Sequence, residues 1–269
     1  MKSVSGLGKE SRKQLTKVLR GTTGTISVAQ AASILNLPSI KAAKLLWGWN
    51  EQGWVSRVMR GVYVPVPLNA ESPDVSLEDP WIIAEKLFSP CYIGGWSAAE
   101  HWGLTEQIFR TVVVLTTRKP RNRSPKIKGT DFLLRTISPK AMFGLNPVWR
   151  GQVKVAVSDP ARTIVDMLDN PQLGGGMRTV VDILRNYLKS ETEDSARLIG
   201  YAKRLGNSAV FKRLGFLLES VAPEEAEAIK TCLLNMKTGK VKFDPDLQSE
   251  RLVTRWKLWV PKNWKQAKK

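Results

Sequence analysis

Within residues 11–65, three helix signals follow one another and give way to two short strands, and no other stretch constrains the fold of this chain as tightly. Leu15, Val18 and Leu19 recur at helical spacing, and Gly21-Thr22-Thr23-Gly24 ends that first helix. Thr25 and Ile26 read as a very short strand. Ser27 suits the N-cap of a second helix over residues 28–35, because its hydroxyl can accept an orphan backbone N–H of the first turn. Asn36-Leu37-Pro38 turns the chain, Ser39 is expected to cap a third helix reaching about residue 52, and Gly53 stops it. The stretch closes on Val55-Ser56-Arg57-Val58-Met59-Arg60-Gly61-Val62-Tyr63-Val64, the form of two strands around a basic turn.

The third helix divides by angle. At about 100° per residue, Ala42, Leu45, Leu46 and Trp49 share one face and Lys41, Lys44, Trp47 and Gly48 the other. The first set packs on the preceding helices, and the second is free to enter a major groove. This order of elements reads as a winged helix-turn-helix DNA-binding domain over residues 1–67. Its expected DNA-binding residues are Ser27, Ser39, Lys41, Lys44, Trp47, Arg57 and Arg60, the two arginines flanking the wing turn within reach of phosphate or the minor groove. The same pattern also suits a winged module that binds protein.

Charge favours a nucleic acid. Lys and Arg number 42 against 24 Asp and Glu, a formal net charge of +18 over 269 residues. A surplus of this size attracts polyanions, whose counterions are released on binding. The length exceeds one typical domain. Cys91 and Cys232 lie far apart and fit neither a zinc spacing nor a disulfide framework, so a cytoplasmic location is expected. A lone histidine, His101, excludes a His-based metal cluster within one chain. No signal-peptide core or membrane-length apolar run is evident, and neither a cofactor nor a metal is expected.

Residues 68–78 read as a Pro-containing, acidic linker to an α+β domain over residues 79–269, with a small sheet, a helical C-terminal part and a basic tail. A helix over residues 81–88 opens it. Ser97-Ala98-Ala99-Glu100 has capping-box character and should start another helix, which Gly103 ends. Strands are expected over residues 111–117, 130–137 and 152–157, and helices over 160–169, 177–189, 194–205 and 208–221. Val253, Trp256 and Leu258 suggest a last strand.

Between the first two strands lie Arg118, Lys119, Arg121, Arg123, Lys126 and Lys128, six basic residues with no acidic one among them. They read either as a phosphate-contacting loop, on DNA or RNA, or as a solvated hairpin tip. Asp159-Pro160 has the form of a helix cap followed by Pro at the first helical position, and Arg162 and Asp166 can pair four residues apart. Gly174-Gly175-Gly176 lacks the Lys and Ser/Thr of a phosphate loop and reads as a flexible break. His101 beside Trp102 reads as packed or helix-terminal. No nucleophile motif stands out, so an enzyme is not expected. The alternative is a nucleic-acid-processing enzyme that uses Asp159, Asp166 and Asp182 with Mg²⁺, or a tRNA-binding protein that uses the 118–128 loop.

Four segments together resemble the AbiEi family of antitoxins from bacterial type IV toxin–antitoxin and abortive-infection (phage-defence) systems. They are Gly53-Trp54-Val55-Ser56-Arg57 through Tyr63, Tyr92-Ile93-Gly94-Gly95-Trp96-Ser97 through Gln107, Val157-Ser158-Asp159-Pro160-Ala161-Arg162 through Pro171, and Tyr201-Ala202-Lys203-Arg204-Leu205-Gly206-Asn207 with residues 212–219. The resemblance spans about residues 11–221. It implies a winged-helix N-domain that represses transcription of its own operon at inverted repeats. It also implies a larger domain that counteracts a nucleotidyltransferase-type toxin without requiring a stable complex with it.

Overall fold

The computed structural model describes residues 6–66, 79–262 and 264, which form a mixed α+β structure. The linker expected at 68–78 lies outside these residues. Within the described residues, no helix is long and apolar enough to cross a membrane.

The N-terminal unit runs α1 (Lys9–Arg20), β1 (Ile26–Ser27), α2 (Val28–Leu35), α3 (Ser39–Glu51), β2 (Val55–Met59) and β3 (Val62–Pro65). Strand β3 lies between β1 and β2 and is antiparallel to both. Helix α2 starts where Ser27 places it. The Ser27 hydroxyl accepts the Gln30 N–H at 3.1 Å, and the Gln30 side chain accepts the Ser27 N–H at 2.9 Å. This capping box satisfies two orphan donors at once. Asn36, in the left-handed conformation, ends the helix. Ser39 does not cap α3 as its sequence suggested. Pro38 holds the N-cap position and its carbonyl accepts the Ala42 N–H at 3.1 Å, so Ser39 is already the first helical residue and makes no side-chain cap. Leu15, Val18, Ala31, Ala42, Leu46 and Trp49 meet Ile26, Val55 and Tyr63 in one small core.

The second unit is built on a six-stranded sheet. It contains α4 (Pro80–Phe88), β4 (Cys91–Ile93), α5 (Gly95–His101), β5 (Thr111–Thr116), β6 (Lys126–Ile127), β7 (Thr130–Thr136), β8 (Leu145–Arg150) and β9 (Val153–Ser158). The strand order is β6-β7-β5-β4-β9-β8, with β5–β7 and β4–β9 parallel and the other pairs antiparallel. Alternation sorts the side chains. Ile93, Val112, Val114, Phe132, Leu134, Val155 and Val157 pack with Trp81, Ile83 and Leu87 of α4. Tyr92, Val113 and Leu115 enter a larger core on the other face, shared with the helices that follow. Helix α5 begins at Gly95, before the residues expected to open it. Ser97 therefore sits inside the helix, where its hydroxyl accepts the Val113 N–H at 3.0 Å and ties α5 to the sheet.

The helical part comprises α6 (Pro160–Asp169), α7 (Met177–Lys189), α8 (Ser195–Leu205), α9 (Ser208–Val221) and α10 (Ala226–Asn235). The triple glycine is not a flexible break. Gly174 ends a 3₁₀ turn and is buried where a side chain would collide with Val180 and Met167. The Gly176 N–H then closes the turn onto the Pro171 carbonyl at 2.9 Å. The expected last strand is two strands, β11 (Arg251–Val253) and β12 (Leu258–Val260), which join β10 (Val241–Lys242) in the order β10-β12-β11. Lys257 in the left-handed conformation separates them. Trp256 lies between the two strands and packs onto Gly215 of α9, with its indole N–H on Glu219 at 2.6 Å. Buried Arg213 donates to the carbonyls of Leu168, Asp169, Lys242 and Phe243, which stitches the C-terminal segment to α6 and α9.

The two units touch. Val58, Val62 and Val64 of the β2–β3 hairpin join the core under α4, and Gly24 lies against Ile82.

Candidate nucleic-acid interface

The face division on α3 is borne out. Ala42, Leu46 and Trp49 are buried, whereas Lys41, Lys44 and Trp47 are exposed. Gly48 faces open space, since a Cβ there would meet nothing within 4 Å. The helix is tied down through Trp49 in its last turn. The Trp49 indole N–H donates to the Ser11 hydroxyl of α1 at 2.7 Å, and the Trp54 N–H reaches the Trp49 carbonyl at 2.9 Å.

The hairpin is tied to the same helix. Asn50, at the end of α3, accepts the Arg57 N–H at 2.9 Å through its side chain, which positions β2 against the helix. Arg57 and Arg60 are exposed, and the Arg57 Nε lies 3.4 Å from the Met59 carbonyl. Gly61 supplies the positive φ of the turn, and its carbonyl accepts the Val28 N–H at 3.0 Å, so the hairpin tip is tied to the start of α2. Of the expected site residues, the structure therefore brings Lys41, Lys44, Trp47, Arg57 and Arg60 into one helix-and-hairpin assembly. Ser27 sits at the start of α2 with its hydroxyl engaged in the capping box, and Ser39 is exposed at the start of α3.

Sequence reasoning passed over Ile40 and Met59, both exposed and apolar, and over Asn50, the link between helix and hairpin. The helical spacing of residues 40, 44 and 47 is the signal that would have found Ile40. Also passed over was a basic side of α1, where Lys9, Arg12, Lys13, Lys17 and Arg20 are exposed.

The 118–128 stretch is not a hairpin tip. Strands β5 and β7 are parallel neighbours, so the chain must cross back before it can pair. It does so along the sheet edge, where the Arg123 and Pro125 carbonyls accept the Leu134 and Phe132 N–H groups at 2.7 and 3.0 Å. The tight turn lies later, at Lys128 and Gly129 between β6 and β7. Arg118, Lys119, Arg121, Arg123 and Lys126 are exposed on this edge; Lys128 is half-buried. Lys126 pairs loosely with Asp131 at 3.8 Å.

The carboxylates weighed for catalysis have structural partners. Asp159 caps α6 by accepting the Arg162 N–H at 2.8 Å and also accepts the Tyr201 hydroxyl at 2.8 Å. Asp166 pairs with Arg162 at 2.8 Å and accepts the Tyr92 hydroxyl at 2.9 Å. Burial pushes the Asp166 carboxyl up to about 6, against the opposing pull of the Arg162 guanidinium and the Tyr92 hydroxyl. Asp182 is exposed and pairs with Arg185 at 3.1 Å. Among the described residues, no group of three or more His, Cys, Asp or Glu side chains could hold a metal ion. His101 ends α5 with its ring 4.6 Å from that of Trp102 and 5.4 Å from that of Trp81.

No protein-family model matches this chain, and no curated protein matches it.

Proposed function

We propose that this protein binds duplex DNA through a winged helix-turn-helix made of α1–α3 and the β2–β3 hairpin. On this reading it serves as a cytoplasmic antitoxin and transcriptional autorepressor of a type IV toxin–antitoxin operon. The observation that carries the DNA half is the cationic outer side of α3, set opposite its buried face and beside the arginine-bearing hairpin. Lys41, Lys44, Arg57 and Arg60 supply phosphate and groove contacts at operator inverted repeats. The exposed basic edge from Arg118 to Lys126 adds a second phosphate-contacting surface. The antitoxin half, directed against a nucleotidyltransferase-type toxin, rests on the resemblance of the four segments to the AbiEi family.

The test is titration of the full chain onto duplex DNA from upstream of its own reading frame, over a series of salt concentrations. Lys41→Ala/Lys44→Ala weakens binding and lowers the salt slope by about two units, one for each lost phosphate contact. Unchanged affinity and slope in that variant would refute the groove assignment. Transfer RNA competing as well as the operator duplex would move the nucleic-acid role to the 118–128 edge. For the antitoxin half, growth is measured when a nucleotidyltransferase-type toxin from a neighbouring reading frame is induced with and without this chain. Rescue is expected, and equal growth arrest in both cultures removes the antitoxin role.

A further inference from the structure

The outer side of α3 is cationic and apolar together. Ile40 is 85% exposed and Trp47 57% exposed, and they fall on one line with Lys44 at spacings of four and three residues. Lone exposed apolar side chains are ordinary on protein surfaces. Here they alternate with lysines along one helix face, beside Gly48, whose open side lets another molecule approach the backbone closely. No acidic residue occurs from Ser39 to Asn50. A second copy of this chain would set like charges against each other across this face. A polyanion that also displays small apolar groups matches it.

Duplex DNA has that character in one place. The thymine C5-methyl is the apolar group on the base edges of the major groove, and residues in the first turns of an inserted helix are the ones that meet base edges. Ile40 is the second residue of α3, and Trp47 lies two turns further along the same line. Resting on the reading of α3 as the groove-entering element, we propose that Ile40 and Trp47 read thymine methyl groups, so that this protein selects its duplex by thymine placement as well as by charge. Lys41 and Lys44 then anchor the helix, and the two apolar side chains discriminate among sequences.

The experiment uses the full chain and a duplex that it has selected from a random pool. The duplex is resynthesised with deoxyuridine for thymidine, which keeps the pairing and deletes only the methyl groups. Affinity is read by fluorescence anisotropy. The parent is expected to lose about tenfold in affinity on the uridine duplex, the effect of two methyl contacts each worth about a buried methylene. Ile40→Ala/Trp47→Ala should bind both duplexes with nearly equal affinity, whereas Lys44→Ala should weaken both and retain the difference. A parent that binds the two duplexes equally, or an Ile40→Ala/Trp47→Ala variant that keeps the full difference, overturns the methyl reading and leaves DNA binding intact. If no duplex is selected above nonspecific affinity, the assignment of α3 to DNA falls as well. Loss of self-association in Ile40→Ala, with DNA affinity unchanged, would instead assign the face to a second copy. A thermal melt of each variant reports whether its fold is retained.

Discussion

Positive charge serves opposite ends at two places in the molecule, the outer side of α3 with its hairpin and the interior of the second unit. On α3 and the hairpin, Lys41, Lys44, Arg57 and Arg60 stand in solvent. In the second unit, Arg162, Lys212 and Arg213 are buried and directed at internal acceptors: Asp166 for Arg162, the Gly239 carbonyl for Lys212, and four backbone carbonyls for Arg213. Arg162 carries the costliest arrangement. Its Nε and Nη1 have no hydrogen-bond partner among the described residues, and its guanidinium carbon lies 4.1 Å from the Phe143 ring centroid. A net charge of +18 thus mixes cations that bind the fold together with cations that an outside polyanion can meet. Only the second kind is open to an outside partner, and removing each kind should leave a different signature.

The largest effect is expected from Arg162→Met. It strands a buried Asp166 carboxylate and should cost about 3–5 kcal/mol of stability at neutral pH, measured by urea unfolding. Asp166 has its folded-state pKa raised, so its proton favours the folded state and the charged form is the expensive one. Without the Arg162 guanidinium the Asp166 carboxyl of the variant is pushed higher still, so its deficit should grow as pH rises above about 6, where the parent carboxyl ionises, and shrink to its least as pH falls to about 6. A deficit that does not vary with pH would mean that Asp166 is not the stranded charge.

Next in size is the sealing of the same interior. Burial pushes both thiols, Cys91 and Cys232, up to about 12. Their native-state reaction with a disulfide reagent in mild alkali should run at least about a hundredfold slower than after unfolding. Because the folded pKa values are raised, their contribution to stability declines as pH climbs through the unfolded thiol range toward 12. Equal labelling of native and unfolded protein would show that this interior is open.

The smallest effect sharpens the contrast from the other side. Lys41→Ala/Lys44→Ala, which should weaken DNA binding, is expected to unfold within about 0.5 kcal/mol of the parent. A larger loss would mean that these lysines also serve the fold.

Strong local chemistry was readable in the sequence. The α3 faces followed from helical periodicity, and Asp159-Pro160 announced the start of α6. The β-branched runs located β5, β7 and β9. Non-local decisions were hidden. Strand β4 has three residues, all buried, and so shows no inside–outside alternation. Strand β8 carries Pro147 and buries none of its residues fully, as a sheet edge permits. The parallel pairing of β5 with β7 depends on the chain crossing back along the sheet edge between them, and nothing within residues 118–128 records it. Helix α10 has only Cys232 buried, which leaves it a weak apolar stripe. At the candidate site the lysines were legible because charge periodicity is local. The Asn50–Arg57 link was not, because it joins two elements.

The hairpin has a second side. While Arg57 and Arg60 look outward, Val58, Val62 and Val64 wedge beneath α4. Severing the chain just past this ribbon would leave three valines bare and invite clumping of the amino-terminal fragment. The same wedge makes the tilt of α3 and the hairpin a property of the whole molecule, so pressure on the far body can reach their lysine- and arginine-bearing side.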